Sequence, residues 1–258
     1  MIKIAMTIAG SDSVGGAGIQ ADLKTFQRLE TFGVSVLTAI TAQNTVGVNE
    51  VLFLPTELIA KQLDSVLGDV PVDALKTGML ANAEIVKVVA GKVRQYSLVN
   101  LVVDPVLVST SGHLLLEQEA VYTMKEQLFP LAKIVTPNLP EVKALVGIQV
   151  DTNEDMKEAA LAICSLGAQN VLVKGGHSTG EATDLFYDGK DFHFLTVKRI
   201  GVGSVHGTGC TLSAAIAAYL ARGYSVLEAV QAGKKYVTGA IETSFALGKG
   251  SRLLNHGY

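Results

Sequence analysis

Residues 206–214 read His-Gly-Thr-Gly-Cys-Thr-Leu-Ser-Ala. Gly207 and Gly209 flank the hydroxyl of Thr208 where a helical pattern begins. Backbone N–H groups exposed at such a start, with the helix dipole behind them, form an anion site. Cys210 falls in the first helical turn, a position that lowers a thiol's pKa and favours thiolate. A thiolate beside an anion hole suits proton abstraction from an alcohol while a phosphoryl group is held. A lone cysteine on a packed helix is ordinarily structural; the glycine-hydroxyl-glycine setting favours chemistry here.

Asp104 and Glu141 form a candidate metal pair, each just beyond a strand pattern. Phosphoryl transfer from a nucleotide needs Mg²⁺, held by one or two carboxylates or their waters. The alternatives are plain ones: Glu141 as an acid favoured by a helix dipole, Asp104 as a turn cap before Pro105. Lys174, before two glycines, either reaches phosphate oxygens or is a surface lysine at a strand end. Residues 16–21 fit G-x-G-x-x-A after a strand, the form of a dinucleotide fingerprint. That fingerprint also needs an acid about 20 residues on, and the second strand ends in Ala42-Gln43-Asn44 without one. The other reading is a tight turn that needs glycine for steric reasons. The chain has no Walker-type G-x-x-x-x-G-K-[ST] and no H-E-x-x-H, and its histidines show no metal spacing.

These residues need elements to position them. Strand patterns at 2–8, 34–41, 74–77, 98–103, 133–135 and 170–174 alternate with helical patterns at 19–26, 56–67, 83–96 and 156–166. Residues 10–18 read as a glycine-rich loop. Asp188-Gly189 between short aromatic runs signals a hairpin. Two helices, 208–222 and 226–245, close the chain. Apolar strands without strict alternation, joined by helices, mean a mostly parallel sheet covered on both faces, here with an antiparallel edge. In such an α/β sheet the ligand crevice lies at the carboxyl ends of the strands, and the polar and glycine-rich segments concentrate there.

Composition narrows the classes. Over 258 residues, 21 Lys+Arg against 24 Asp+Glu give a net charge of −3, which offers a polyanion no dominant field. Hydrophobic residues at 48% and charged ones at 17% exclude disorder and allow a large core. Cys164 and Cys210 form neither a disulfide framework nor a metal knuckle. The N-terminus runs straight into a strand pattern, without a signal core. These features lead us to expect one soluble domain, residues 1–258, in the cytoplasm.

The segments Ala9-Gly10-Ser11-Asp12, residues 15–24, Ala42-Gln43-Asn44-Thr45, Lys76-Thr77-Gly78-Met79-Leu80, Asp104-Pro105-Val106, Thr136-Pro137-Asn138-Leu139-Pro140-Glu141, Lys174-Gly175-Gly176-His177 and residues 206–211 together resemble the hydroxymethylpyrimidine/phosphomethylpyrimidine kinases of thiamine biosynthesis. The resemblance spans nearly the whole chain and places it in the ribokinase-like superfamily. It implies a three-layer sandwich and ATP-dependent phosphorylation of 4-amino-5-hydroxymethyl-2-methylpyrimidine, then of its monophosphate. It implies that Gln43 pairs with the ring's amino group and nitrogen, for which a side-by-side donor and acceptor suit an amide. Gly10, Asp22, Met79 and Val106 would line the same pocket. Cys210 would be the base, a position held by aspartate in most of the superfamily, with Gly207, Thr208 and Gly209 as the anion hole. Asp104, Asn138 and Glu141 would bear on Mg²⁺ and phosphates, Lys174 on ATP phosphates, and the protein would be a homodimer. A related branch phosphorylates pyridoxal, and some members act on both rings. That branch carries Met-Asp where this chain has Gln43-Asn44, and a lid cysteine where it has Ser109 in residues 108–113. Pyridoxal kinase and a dinucleotide-dependent oxidoreductase remain as competing functions.

Overall fold

The computed structural model describes residues 2–107, 118–176 and 181–258. The lid segment 108–113, with Ser109 and His113, and also His177 lie outside the described residues. Eight helices and eleven strands carry labels here. The chain opens with β1 (Ile4–Asp12), α1 (Gly18–Arg28), β2 (Phe32–Gln43), β3 (Val48–Phe53), α2 (Thr56–Leu67), β4 (Ala74–Thr77) and α3 (Ala83–Gln95). It continues with β5 (Leu101–Val103), α4 (Gln118–Thr123), β6 (Ile134–Val135), α5 (Leu139–Val146), α6 (Asn153–Cys164) and β7 (Val171–Val173). The hairpin β8 (Ala182–Tyr187) and β9 (Phe192–Val197), then β10 (Val205–His206), α7 (Thr208–Ala221), α8 (Val226–Glu242) and β11 (Arg252–Leu253), complete it.

Nine strands form one sheet in the order β3-β2-β1-β4-β5-β6-β7-β8-β9. The run from β2 to β7 is parallel, and β3, β8 and β9 are antiparallel additions at the two edges. The period-2 rule divides each central strand between two cores. Met6, Ile8, Leu75, Leu101, Val103, Val135, Val171 and Val173 face α2, α3 and α6. Ala5, Ala74, Val102, Ile134 and Leu172 face α7 and α8. Both faces are covered, which is why these strands read as continuous apolar runs. This is the α/β three-layer sandwich expected from the sequence.

Several boundaries differ from the sequence reading. β1 extends through Gly10 and Ser11 to Asp12, so the glycine-rich loop spans only residues 13–17. A register shift opposite Gly10 marks a bulge in β2: Ala9 to Ser11 is matched by the longer step from Leu37 to Ile40. The edge strand β3 was not expected: its residues are mostly exposed, so no apolar run announces it. α4 was missed as well, and it continues through a π-turn (Met124–Leu128) and a 3₁₀ turn (Phe129–Leu131). α5 was read only as a possible acidic helix start, although it carries a capping box of Asn138 and Glu141. β5 begins at Leu101 rather than 98, and α8 ends at Glu242 rather than 245.

α7 is alanine-rich and buried nearly all round, a composition that combines high helix propensity with close approach to the sheet and to α8. Two glycines show different constraints. Gly147 is left-handed (φ 77°) at the C-cap of α5 with open space around it, whereas a Cβ on left-handed Gly18 (φ 55°) would stand 2.3 Å from the Gly10 carbonyl oxygen. Gly147→Ala is expected to cost about 1–2 kcal/mol from backbone conformation alone. Gly18→Ala should cost more, because overpacking adds to that strain. Urea midpoints of the two variants compare them, and equal shifts would contradict the close approach.

Candidate active site

Segments at the carboxyl edge of the sheet gather at the N-terminus of α7, among them those of Asp12, Gln43, Asp104 and Lys174. Its N-cap, Gly207, is left-handed (φ 84°) and supplies no side-chain cap, so the first-turn N–H groups lack a capping oxygen. A Cβ on Gly207 would lie 1.7 Å from the Gly16 carbonyl oxygen, so only glycine lets this loop rest on the first glycine loop.

Below the helix start lie two buried acid–lysine pairs. Lys76 of β4 donates to both Asp22 oxygens, at 3.0 and 2.8 Å, and Thr7 donates to Asp22 at 2.6 Å. Both charged side chains are fully buried. Lys174, just past β7, donates to Asp104 at 2.9 Å, and Ser213 of α7 donates to the other Asp104 oxygen at 3.1 Å. A Cβ on Gly209 would stand 3.4 Å from Lys174 Nζ, which places the glycine loop directly over this pair. Burial alone would strip the Lys76 proton, but the Asp22 carboxylate reverses this and holds its pKa above the ordinary lysine value. Burial likewise opposes the Asp104 charge; Lys174 and Lys76 overcome it and hold the carboxyl below its usual range.

Glu141 is the carboxyl left over. It closes the α5 capping box, accepting from the Asn138 N–H at 2.8 Å while its own N–H donates to Asn138 at 2.9 Å. Burial pushes its pKa up to about 7; Lys174 opposes the rise and Asp104 adds to it. So Asn138 and Glu141 are held in the cap that the plainer reading suggested, yet Glu141 sits beside Asp104 and Lys174 in charge as well. Among the described residues Asp104 caps no turn; its oxygens accept from Lys174, Ser213 and Thr136. Val106 is left-handed (φ 46°), an unusual conformation for a β-branched residue, and its neighbour Leu107 donates to Glu141 at 3.4 Å. Among the described residues, no group of three His, Cys, Asp or Glu side chains is set to hold a metal ion.

The Cys210 expectation needs correction. Helix-start geometry favours thiolate, but burial pushes this thiol up to about 11. Lys76 and the Gly18 N–H pull it down, while Asp22 and Asp104 push it further up. Two cations already answer two carboxylates here, so a thiolate would add an unanswered charge. Asp22 also departs from expectation: it is fully buried and engaged by Lys76 and Thr7, so it supports the site from beneath rather than lining a pocket.

Other expected groupings are present. A Cβ on Gly10 would meet Met79 Cε at 2.6 Å, so these two share one wall. The Gln43 amide lies 3.1 Å from His206 Nε2 and 3.1 Å from Thr41 Oγ1, next to the anion-hole loop. The glycine loop does not await a dinucleotide. The N–H groups of Val14, Gly16 and Ala17 all donate to the Asp12 carboxylate, at 3.1, 3.0 and 2.8 Å. Lys76, Ser213, Asp12 and His206 had not been singled out from the sequence. Lys76 had a visible signal, a lysine inside an otherwise apolar strand, which needs a buried partner. Ser213 had none.

A mostly parallel three-layer sandwich with an uncapped glycine-flanked helix start over paired lysines is the arrangement of a ribokinase-like small-molecule kinase. The model of the family described as Phosphomethylpyrimidine kinase matches residues 12–255, and the chain belongs to that family. It is 48% identical to the hydroxymethylpyrimidine/phosphomethylpyrimidine kinase of Streptomyces coelicolor, over 99% of this chain and 94% of that one. It is 49% identical to the thiamine biosynthesis bifunctional protein ThiED of Geobacter sulfurreducens over 97% of this chain, but spans only 51% of that protein. Among solved structures it resembles an ADP complex of Bacillus subtilis pyridoxal kinase, with a TM-score of 0.93 and 41% identity over 99% of this chain and 98% of that one. It also resembles phosphomethylpyrimidine kinase from Clostridium difficile, with a TM-score of 0.84 and 46% identity over 93% and 100% of the two chains.

In a Cys164→Ser background, iodoacetamide labelling of Cys210 in the free protein is expected to rise about tenfold per pH unit through pH 9, with no plateau near neutrality. A plateau at or below pH 8 would contradict the neutral resting thiol.

Proposed function

We propose that the protein is an ATP-dependent kinase that phosphorylates 4-amino-5-hydroxymethyl-2-methylpyrimidine and then its monophosphate, as one kinase domain. The observation that carries this reading is the juxtaposition of the Gln43 amide with the Gly207–Gly209 loop. One residue can read an aminopyrimidine edge while the adjoining loop holds the transferring phosphoryl group.

In this reading the ring sits against Gln43, Gly10, Met79 and Val106. The N–H groups at the start of α7 and the Lys174 ammonium face the phosphoryl oxygens. Lys174 serves while still bonded to Asp104, which keeps the ammonium charged and aimed. Cys210 takes the alcohol proton as the oxygen attacks phosphorus. It can do so only as the thiolate, so its own proton must first leave to bulk water; burial makes that thiolate scarce at rest and, once formed, a strong base for an alcohol. The leftover Glu141 carboxyl fits Mg²⁺: a hard oxygen donor whose ionisation no lysine fully answers. Glu141, with Asp104 beside it, would hold the ion, which would supply charge neutralisation for the phosphates.

Pyridoxal phosphorylation is the second reading, favoured by the likeness to pyridoxal kinase structures. Gln43, at the position where that branch carries methionine, weighs against it as the main activity. A homodimer fits the exposed apolar side chains of Ile40, Leu52 and Phe53 on the β2–β3 edge. Among the described residues no helix is long and apolar enough to cross a membrane, and a cytoplasmic location belongs to the same reading.

Gln43→Ala is expected to raise the pyrimidine KM by about ten- to a hundredfold, the loss of one or two hydrogen bonds in a dry site, and to leave the ATP KM unchanged. Cys210→Ala should lower kcat with little change in KM. Steady-state kinetics, with mass spectrometry of the products for one and then two added phosphates, checks both. An unchanged pyrimidine KM in Gln43→Ala would remove that amide from the pocket.

A further inference from the structure

We propose that His206 is a positioning residue that fixes which way the Gln43 amide points, and through it the direction in which the substrate ring enters. The inference rests on the reading of Gln43 as the residue that pairs with the ring.

His206 Nε2 lies 2.9 Å from Asp12 Oδ2 and 3.1 Å from the Gln43 amide. Asp12 is the binding partner of three backbone N–H groups, so it stays ionised and only accepts. Nε2 therefore carries a proton and donates. As placed, Gln43 Nε2 faces His206 and Oε1 faces Thr41, which sets a donor against a donor at the histidine; amide nitrogen and oxygen are told apart only by such bonds, so the proton count exchanges them and turns the carbonyl oxygen toward His206. The other end of the amide gives the same answer independently. Thr41 Oγ1 donates its single proton to the Ser11 carbonyl at 2.8 Å. With that proton used, Thr41 cannot also donate to the Gln43 oxygen placed 3.1 Å away; exchanging the amide ends lets its lone pair accept from the NH₂ instead. Left as placed, the amide would set donor against donor at His206 and acceptor against lone pair at Thr41.

A glutamine's terminal torsion is broad and roughly two-fold, so without such neighbours both orientations are populated. With them, one N–H and one carbonyl lone pair remain, in a set order along the pocket wall. An aminopyrimidine edge offers an amino donor beside a ring-nitrogen acceptor. It matches that order in only one direction, and reversing the ring would carry the hydroxymethyl group away from Cys210. His206 is itself held rigidly: its ring packs where a Cβ on Gly16 would come within 2.7 Å, and its backbone pairs with Leu253 in the β10–β11 ladder.

The test is a double-mutant cycle between His206→Phe, which keeps a ring but removes the N–H, and Gln43→Ala, with kinetics on the pyrimidine and melting curves to confirm folding. His206→Phe alone should raise the pyrimidine KM by about tenfold, one misoriented hydrogen-bonding group, with the ATP KM unchanged. In the Gln43→Ala background it should add nothing. His206→Gln, whose NH₂ can donate to both Asp12 and Gln43, should restore most of the loss. Independent, multiplicative effects would overturn the inference while leaving the Gln43 reading intact. So would a His206→Phe loss confined to kcat or ATP KM, which would mean that the histidine acts on the anion-hole loop. An unchanged KM in Gln43→Ala alone would overturn both, since His206 is argued to act through that amide.

Discussion

One carboxylate ties the site together. Asp12 ends β1 and gathers the N–H groups of Val14, Gly16 and Ala17, then reaches across to His206 Nε2. The chain can turn tightly enough to do this only because the loop is glycine-rich. The turn sets Gly18 against the Gly10 carbonyl and lets Gly207 rest on Gly16. The start of α1, the start of α7 and the end of β1 thus become one rigid corner, although Asp12 and His206 are 194 residues apart in sequence. The corner carries the Gln43 amide on one side and the uncapped helix start on the other.

Beneath the corner the constraint is charge. Asp22, Lys76, Asp104 and Lys174 are buried as two opposite-charge pairs, and removing one member of such a pair leaves an unanswered ion at a cost of about 3–5 kcal/mol. The balance explains the behaviour of the two groups that stand outside it. Glu141 has no lysine of its own, so burial lifts its pKa toward neutrality. Cys210 has both lysines and both carboxylates within electrostatic reach, and burial decides the outcome: its thiol holds its proton at rest. A nucleotide's phosphates would add further negative charge, which is why a divalent cation suits the Glu141 side of the site.

Much of this was legible in the sequence. The rhythm of apolar strands and amphipathic helices specified a parallel sheet covered on both faces, and the polar strand ends located the crevice. That placement put the Gly10, Gln43 and Met79 segments and the 206–209 loop around one crevice, and the structure sets Gly10 against Met79 and Gln43 against His206. What failed had physical reasons. β3 is an exposed edge strand with no buried run to announce it. Cys210 was read from its local helix position, but a pKa depends on every charge within reach and on burial, which local sequence does not carry. Asp22 sits on the inward face of α1, and whether an inward acid meets substrate or a lysine depends on which strand passes beneath it. Here that strand is β4 with Lys76. His206 looked like one of several scattered histidines because its partners, Asp12 and Gln43, come from the far end of the chain.

The central claim is that a fixed amide at Gln43 selects an aminopyrimidine ring. It is tested most directly by kcat/KM for hydroxymethylpyrimidine and for pyridoxal on the same preparation with saturating Mg-ATP. The account predicts that the pyrimidine is favoured by at least about tenfold, since a ring without a matching donor–acceptor edge leaves the amide's outward groups unpaired. Equal or greater efficiency on pyridoxal would contradict it.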